Sequence, residues 1–361
     1  MSRQKTVLIQ TVPRDLHAAV VAHQLLERGH NVFAMFFHAF PERDRVSVNL
    51  DSSEMSTDCQ FQGSRLRGAP DAVWRRRLGA IKAPGIVDRE DSRFVIDESA
   101  ALLKSLSHLY SDSFFVNDPE ASALADLKPY QLKLASKIGF KLPRTLISND
   151  PGNIRDFIRK RAGKCIFKPV MGGVWDSGQR QRATYTADVS LDLLPPDEIL
   201  ACCPGIFQEK VDKAFEVRAQ FFGKYYGAIR IESSKLTAGD LDWRIDQNSI
   251  EACDSILLPK MVEAQCQELM SRLGIVAGGF DFIVTPEGEW VFLEVNEAGQ
   301  FLFMEEWCEE LRLLDAFCSF IEHGAPDFSY ANAGRCVGFA AERKKPGIDR
   351  IWKDLFSQSD A

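Results

Sequence analysis

The sequence predicts an α/β protein of about two or three domains. Three observations point there. The chain opens on a strand, a helix and a second strand; helical and extended segments go on alternating through its middle; and 361 residues are too many for one small domain. With 45% hydrophobic and 26% charged residues the composition is that of an ordinary soluble globular chain. No apolar run approaches the roughly 20 residues needed to cross a bilayer. The first apolar segment, Thr6-Val-Leu-Ile-Gln10, is soon interrupted and reads as a strand rather than a signal peptide. A net charge of −7 argues against a general nucleic-acid binder but leaves room for a local basic site.

Thr6–Thr11 is extended, Asp15 is placed to cap a helix through Arg28, Gly29 ends it, and Asn31–Phe37 is extended again. The intervening loop, Thr11-Val-Pro-Arg-Asp15, lacks the G-x-G-x-x-G of a dinucleotide site. Residues 44–75 suggest short strands with polar turns, ending in Ala72-Val-Trp-Arg-Arg-Arg77. That triple arginine suits an anion, but an ion-paired or solvated strand end is the preferred reading. Glu98–Tyr110 has helical apolar spacing, Phe114–Val116 is a short buried strand, and Asn117-Asp-Pro119 marks a domain boundary. Pro129 starts a helix that Gly139 terminates, which puts Lys128 at a helix mouth, where backbone N–H groups favour an anion.

Thr145-Leu-Ile147 is next extended, Asn149-Asp-Pro-Gly152 is a turn and cap, and a helix runs to about Arg161. Lys168 then ends the strand Lys164–Pro169 just before a glycine-bearing loop, 171–178. A lysine there suits phosphate contact and equally suits a plain surface position; the chain has no Walker A loop. Ile206–Val211, Glu216–Phe222 and Tyr225–Ile231 read as strands, with Gly223-Lys224 as a hairpin turn. Glu216, Arg218 and Arg230 are charges inside strands and need partners if they face inward; Arg244 adds a further cation.

Near the end, Asp281 lies on one apolar run and Glu294 and Asn296 on the next. If Glu287-Gly288 is a two-residue hairpin loop, Asp281 falls opposite Glu294. Asn296 then shares their face, and Phe282, Val284, Leu293 and Val295 point the other way. Like charges opposed across strands are destabilising unless neutralised, and Mg²⁺ with carboxylate and phosphate oxygens would do so. A hairpin with acidic residues on its wet face is the plainer alternative. Nine scattered cysteines without a C-x-x-C pair lie mostly within apolar segments and read as reduced, buried thiols of a cytosolic protein, with a structural rather than a reactive role preferred for Cys202-Cys203. The six histidines form no metal or triad pattern.

Taken together these segments resemble the ATP-grasp ligases, over about residues 115–325, in family order: Lys128-Pro-Tyr-Gln-Leu132, Phe167-Lys-Pro169, Gln208-Glu-Lys-Val211, Glu216-Val-Arg218, Asp242-Trp-Arg244 and the set Asp281, Glu294 and Asn296. The resemblance implies an α/β ATP-grasp fold preceded by a Rossmann-like pre-ATP-grasp domain. Its divisions would be 1–118, a central subdomain 119–204, and a C-terminal subdomain 205–361 whose tail after Ala331 has no assignment. It further implies that Lys128 and Lys168 contact ATP phosphates, with Lys168 also near the adenine. Gln208, Glu209, Lys210 and Val211 would line the adenine pocket, Glu216 would hold the ribose, and Asp281, Glu294 and Asn296 would bind one or two Mg²⁺ ions.

Trp74-Arg-Arg76, Phe115-Val-Asn117, Pro143–Pro151 and Phe292–Gln300 are similar to the microviridin-type maturases of ribosomal peptides. That subgroup implies a precursor peptide, with leader and core, as partner, and cyclisation of it through ω-ester or ω-amide bonds. A homodimer is also compatible, and neither nucleic acid nor a membrane is implied. The chain departs from the pattern with Glu297 where proline is usual. In such a reaction a carboxylate attacks the γ-phosphorus and a hydroxyl or amine resolves the acyl phosphate. Arg218 and Arg244 are the leading candidates to bind that intermediate; Arg230 is weaker because Glu232 or Glu216 competes for it. The rival readings are a ligase joining a carboxylate to a free amine acceptor, a non-catalytic peptide binder of the same fold, and a Rossmann-type oxidoreductase, which the missing glycine fingerprint disfavours.

Overall fold

A computed structural model describes residues 3–161, 164–171, 174–176, 181–183, 186–232, 253–331 and 338–351. The apolar run Thr6–Thr11 forms β1, with Val7, Leu8 and Ile9 fully buried. Helix α1, Leu16–Glu27, begins where Asp15 accepts a hydrogen bond from the Ala18 N–H at 3.3 Å, and the chain leaves it through Gly29 at φ 86°. Next come β2 (Asn31–Phe36), the antiparallel set β3 (Arg45–Leu50), β4 (Met55–Phe61) and β5 (Ser64–Arg67), then β6 (Ala72–Arg75), α2 (Ser92–Leu109) and β7 (Phe114–Val116). Helix α2 starts earlier than the apolar spacing predicts. Its first turns carry the exposed Phe94 and an exposed Arg93–Asp97 pair, so no periodic apolar face marks them.

The main N-terminal sheet is all parallel, in the order β2-β1-β6-β7. Both of its faces are covered, so its strands read as unbroken apolar runs. Leu8 and Val73 point to one face, where Phe61, Leu103, Leu106 and Tyr110 join them.

Helices α3 (Pro119–Ala125) and α4 (Lys128–Ile138) follow, then β8 (Thr145–Ser148), α5 (Pro151–Arg159), β9 (Cys165–Pro169), β10 (Val174–Asp176), β11 (Gln181–Ala183), β12 (Ala187–Val189), α6 (Asp197–Leu200) and β13 (Gly205–Glu209). Strands β12-β9-β13-β8 form an antiparallel sheet, and Ile154, Ile158, Cys165 and Phe207 are part of the core that packs α5 on it. A second sheet has the order β16-β15-β14-β17-β18. It comprises β14 (Phe215–Phe222), β15 (Tyr225–Ile231), β16 (Asp254–Ser255), β17 (Ala277–Val284) and β18 (Trp290–Asn296), with α7 (Lys260–Leu273) packed on it. Gly223-Lys224 is the β14–β15 turn, as predicted.

The remaining helices are α8 (Leu302–Trp307), α9 (Leu313–His323), α10 (Phe339–Glu342) and α11 (Pro346–Ile351). The chain divides into two compact units: Met1–Glu120 with Phe222–Tyr226 and Ala298–Ala361, and Ala121–Phe221 with Gly227–Glu297. Within the first unit α9 covers the parallel sheet, with Phe317 edge-on to Trp74 and Phe320 edge-on to Phe114.

Arg76, in the triple arginine, is buried 3.5 Å from Asp15 and donates to the Ala298 carbonyl at 2.5 Å, so it is an ion-paired strand end. Buried His17 accepts at Nε2 from the Phe301 and Leu302 N–H groups, at 3.2 and 2.8 Å. Burial, reinforced by the Arg76 charge, lowers its pKa to about 3. Residues 338–351 of the tail are docked: Glu342 is buried 2.5 Å from His23, and Glu305 accepts from the Phe339 N–H at 2.9 Å. The described cysteines are free thiols and most are buried; Cys202 and Cys203 are exposed because they lie on a surface turn between α6 and β13.

Candidate active site

The β17–β18 hairpin does bring Asp281 opposite Glu294, but by another route than a two-residue loop. The Thr285 N–H bonds to the Glu289 carbonyl at 3.0 Å and the Gly288 N–H to the Thr285 carbonyl at 2.9 Å, with Gly288 at φ 83°. The loop therefore has three residues, a turn followed by a left-handed glycine. Its register pairs Val284 with Trp290 and Phe282 with Phe292. Continued unbroken, it would set Leu293 opposite Asp281 and turn Glu294 to the other face. A β-bulge after Phe292 absorbs Leu293 and restores the Asp281–Glu294 pair. Leu293 consequently does not point away with Phe282; it lines the pocket beside Glu294.

The three side chains converge as predicted, but Asn296 turns its amide nitrogen rather than its oxygen to the two carboxylates. The Asn296 Nδ2 donates to Asp281 Oδ2 at 3.3 Å and to Glu294 Oε1 at 3.2 Å. Two cations offset the acidic pair. Arg218 Nη1 lies 2.9 Å from Asp281 Oδ2 and 3.1 Å from the Gly279 carbonyl, and Lys128 Nζ lies 3.1 Å from Glu294 Oε2. Arg218 and Asp281 are both buried, so their pairing meets the need for a partner noted from the sequence.

Lys128 is the first residue of α4, and Gln131 one turn on fixes that helix to β18. The Gln131 side chain donates to the Val295 carbonyl at 2.8 Å and accepts from the Val295 N–H at 3.1 Å. Sequence reasoning missed Gln131 as a site-building residue; a buried glutamine on an otherwise apolar helix face was the available signal.

Lys168 and Gln208 line this pocket and the adjoining one, linked by Lys168 Nζ donating to Gln208 Oε1 at 3.1 Å. Glu209, Lys210, Val211 and Glu216 border the adjoining pocket, with Ile166, Ile283 and Leu293 as apolar walls. That mixture suits a flat apolar ring system with a polar rim. Glu209 and Lys210 contribute mainly as backbone: their side chains pair with Arg144 at 3.8 Å and Asp188 at 3.1 Å. Glu216 is buried and accepts from Lys213 Nζ at 2.8 Å; Lys213, also a pocket residue, carried no motif to announce it. Arg230 is paired with Glu232 at 2.5 Å and lies over the Phe215 ring at 4.0 Å. Arg244 and part of the 171–178 loop lie outside the described residues.

The donor set fits Mg²⁺. Asp281 and Glu294 present hard carboxylate oxygens; Asn296, whose Nδ2 faces them here, would offer its Oδ1 to a cation after its amide turns, and the lysines that line a pocket with Glu294 suit phosphate. Among the described residues no group of three carboxylate, imidazole or thiol side chains forms a closed metal cage, so a cation here requires further oxygens from its ligand.

Solved structures are similar to this chain along nearly its whole length. The Chryseobacterium gregarium RiPP-associated ATP-grasp ligase, in complex with ADP and a leader and core peptide, is 26% identical. Its match covers 91% of this chain and 100% of that one, with a TM-score of 0.81. The macrocyclase MdnC from Microcystis aeruginosa, bound to the precursor peptide MdnA, is 25% identical over 89% of this chain and 100% of its own, at 0.76. The ATP-grasp ligase PsnB, complexed with a variant precursor, Mg and ADP, is 25% identical over 90% of this chain and 99% of its own, at 0.67. No family model matches the sequence, and no curated protein is significantly similar to it. The fold and these matches define an ATP-grasp ligase. Within that class the likeness is to the microviridin-type ligases that mature ribosomal peptides.

Proposed function

We propose that this ligase uses ATP and Mg²⁺ to activate Asp or Glu side-chain carboxylates of a ribosomal precursor peptide as acyl phosphates. A hydroxyl or amine of the same peptide then displaces phosphate, closing an ω-ester or ω-amide ring, with ADP and phosphate released. The observation that carries the reading is the convergence of Asp281 and Asn296 on Glu294, which itself lines one pocket with Lys128 and Lys168. The likeness to ligases solved with ADP and precursor peptides supports the choice of substrate.

In this reading Lys128 and Lys168 bind phosphate oxygens, and Gln208 to Val211 with Ile166 and Leu293 enclose the adenine. Glu216 holds the ribose. Asp281, Glu294 and Asn296 would hold Mg²⁺, which when bound neutralises charge on the phosphates. Arg218, fixed against Asp281, and Arg244 are assigned to the transferring phosphoryl group; Arg230 is a weaker candidate because Glu232 already holds it. The division at 118/119 and 204/205 into a pre-ATP-grasp domain and two ATP-grasp subdomains is part of the proposal. So is a cytoplasmic setting, which suits a helix set without a membrane-length apolar member among the described residues.

Incubation with ATP, Mg²⁺ and a cognate precursor is expected to lower the peptide mass by one water per ring while ADP accumulates. An unchanged mass would refute cyclisation, and a gain would indicate ligation to a free amine. Glu294→Gln is expected to cut ADP release by roughly a hundredfold or more while the thermal transition persists; full activity in that variant would refute the metal assignment.

A further inference from the structure

Behind the pocket wall, four groups form one hydrogen-bonded series. The Thr145 hydroxyl donates to the Pro143 carbonyl at 2.9 Å, Gln208 Nε2 donates to Thr145 Oγ1 at 3.0 Å, and Lys168 Nζ donates to Gln208 Oε1 at 3.1 Å. Thr145 and Gln208 are direct cross-strand partners on β8 and β13, and Gln208 is 3% exposed. The polarity of the series is forced from both ends. A carbonyl only accepts, so the Thr145 proton is committed to Pro143 and toward Gln208 its oxygen can only accept. An ammonium only donates, so Gln208 has to turn its oxygen to Lys168. An amide flip, otherwise hard to exclude for a glutamine, would set N–H against N–H at one end and oxygen against oxygen at the other.

We infer that Thr145 is a positioning residue for the nucleotide: its hydroxyl locks the Gln208 amide so that its oxygen holds the Lys168 ammonium at the pocket wall. Lys168 and Gln208 line both pockets, whereas Thr145 stands in the strand behind and acts only through them. Without the hydroxyl, the buried Gln208 amide loses its rear acceptor, and the orientation that attracts Lys168 is no longer favoured. The inference rests on the reading of Lys168 as a phosphate ligand.

Calorimetric titration of ATP with Mg²⁺ into the full-length protein tests it. Thr145→Val, close in volume but without the hydroxyl, is expected to bind ATP about five- to tenfold more weakly, the effect of one lost hydrogen bond in a polar series. Thr145→Ser, which keeps the hydroxyl, is expected to bind within about twofold of the unaltered protein. In a Lys168→Met background, Thr145→Val is expected to produce no further loss, because the residue acts through that lysine. Unchanged affinity in Thr145→Val, or an equal further loss in the Lys168→Met background, would overturn the inference. If Lys168→Met alone binds ATP as tightly as the unaltered protein, the reading of Lys168 fails first, and the role of Thr145 falls with it.

Discussion

Lys128 Nζ lies 3.1 Å from Glu294 Oε2, so a lysine assigned to phosphate is already in contact with a carboxylate assigned to metal. The same holds on the facing strand, where Arg218 Nη1 is 2.9 Å from Asp281 Oδ2. Both acidic groups thus have protein counter-ions, and a bare divalent cation has to compete with them. A nucleotide changes that balance, because its phosphates attract Lys128 and supply further oxygens. Mn²⁺ is therefore expected to bind at least about tenfold more tightly in the presence of ADP than alone, as read from the spin-resonance signal of free Mn²⁺. Lys128→Gln is expected to narrow that difference by strengthening binding of the cation alone. Equal Mn²⁺ affinity with and without ADP would show that the two pairs do not guard the site.

Gly279 gives Arg218 its place. A Cβ at Gly279 would stand 2.2 Å from Arg218 Nη2 and 2.4 Å from its Cζ, so even alanine forces the guanidinium off Asp281. Gly279→Ala is expected to destabilise the fold by about 1–3 kcal/mol through overpacking, measured by urea unfolding, and to lower ADP release roughly tenfold by moving the Arg218 guanidinium away from Asp281. Gly278→Ala is the milder comparison. There the nearest group is a Val295 methyl at 3.0 Å, which leaves Arg218 undisturbed.

The hairpin loop offers a test in which stability and site part company. Gly288 has φ 83° and nothing within 4 Å of an added Cβ, so alanine there meets backbone strain and no clash. Gly288→Ala is expected to cost about 1 kcal/mol while leaving nucleotide affinity unchanged, because the bulge at Leu293 lies between the loop and the residues assigned to the metal. A large loss of affinity would mean that loop geometry is transmitted through the strands.

Much of this site was legible because its parts are local. The Asp15 cap, the helix start beside Lys128 and the period-2 strands each declare themselves within a few residues. The Asp281–Glu294 pairing was reached from the sequence through a two-residue loop, whereas the molecule combines a three-residue loop with a bulge, two one-residue offsets that cancel. Pairing sums cannot see such a cancellation, so Leu293 was assigned to the wrong side. Gln131 and Lys213 escaped notice for a different reason: their partners, Val295 and Glu216, become meaningful only once helix and strand or strand and loop are packed. The tail was opaque because its anchors, His23 and Glu305, are contributed by elements far away in sequence.

His17 makes the first unit sensitive to acid in a predictable direction. Its Nε2 accepts from the Phe301 and Leu302 N–H groups and therefore has to remain unprotonated in the folded chain. Burial, with the Arg76 charge behind it, lowers its pKa from 6.5 to about 3. Between those two values the unfolded chain binds a proton that the folded chain refuses. The contribution of His17 to stability is therefore complete above pH 6.5 and is lost steadily as the pH falls toward 3. The slope from this one group is at most about 1.4 kcal/mol per pH unit. His17→Gln keeps an acceptor for the two N–H groups and removes the titration, so its unfolding free energy is expected to fall less steeply than that of the unaltered protein across this window. Urea unfolding at a series of pH values measures both slopes. Parallel curves would mean that His17 takes up a proton as readily in the folded chain as in the unfolded one.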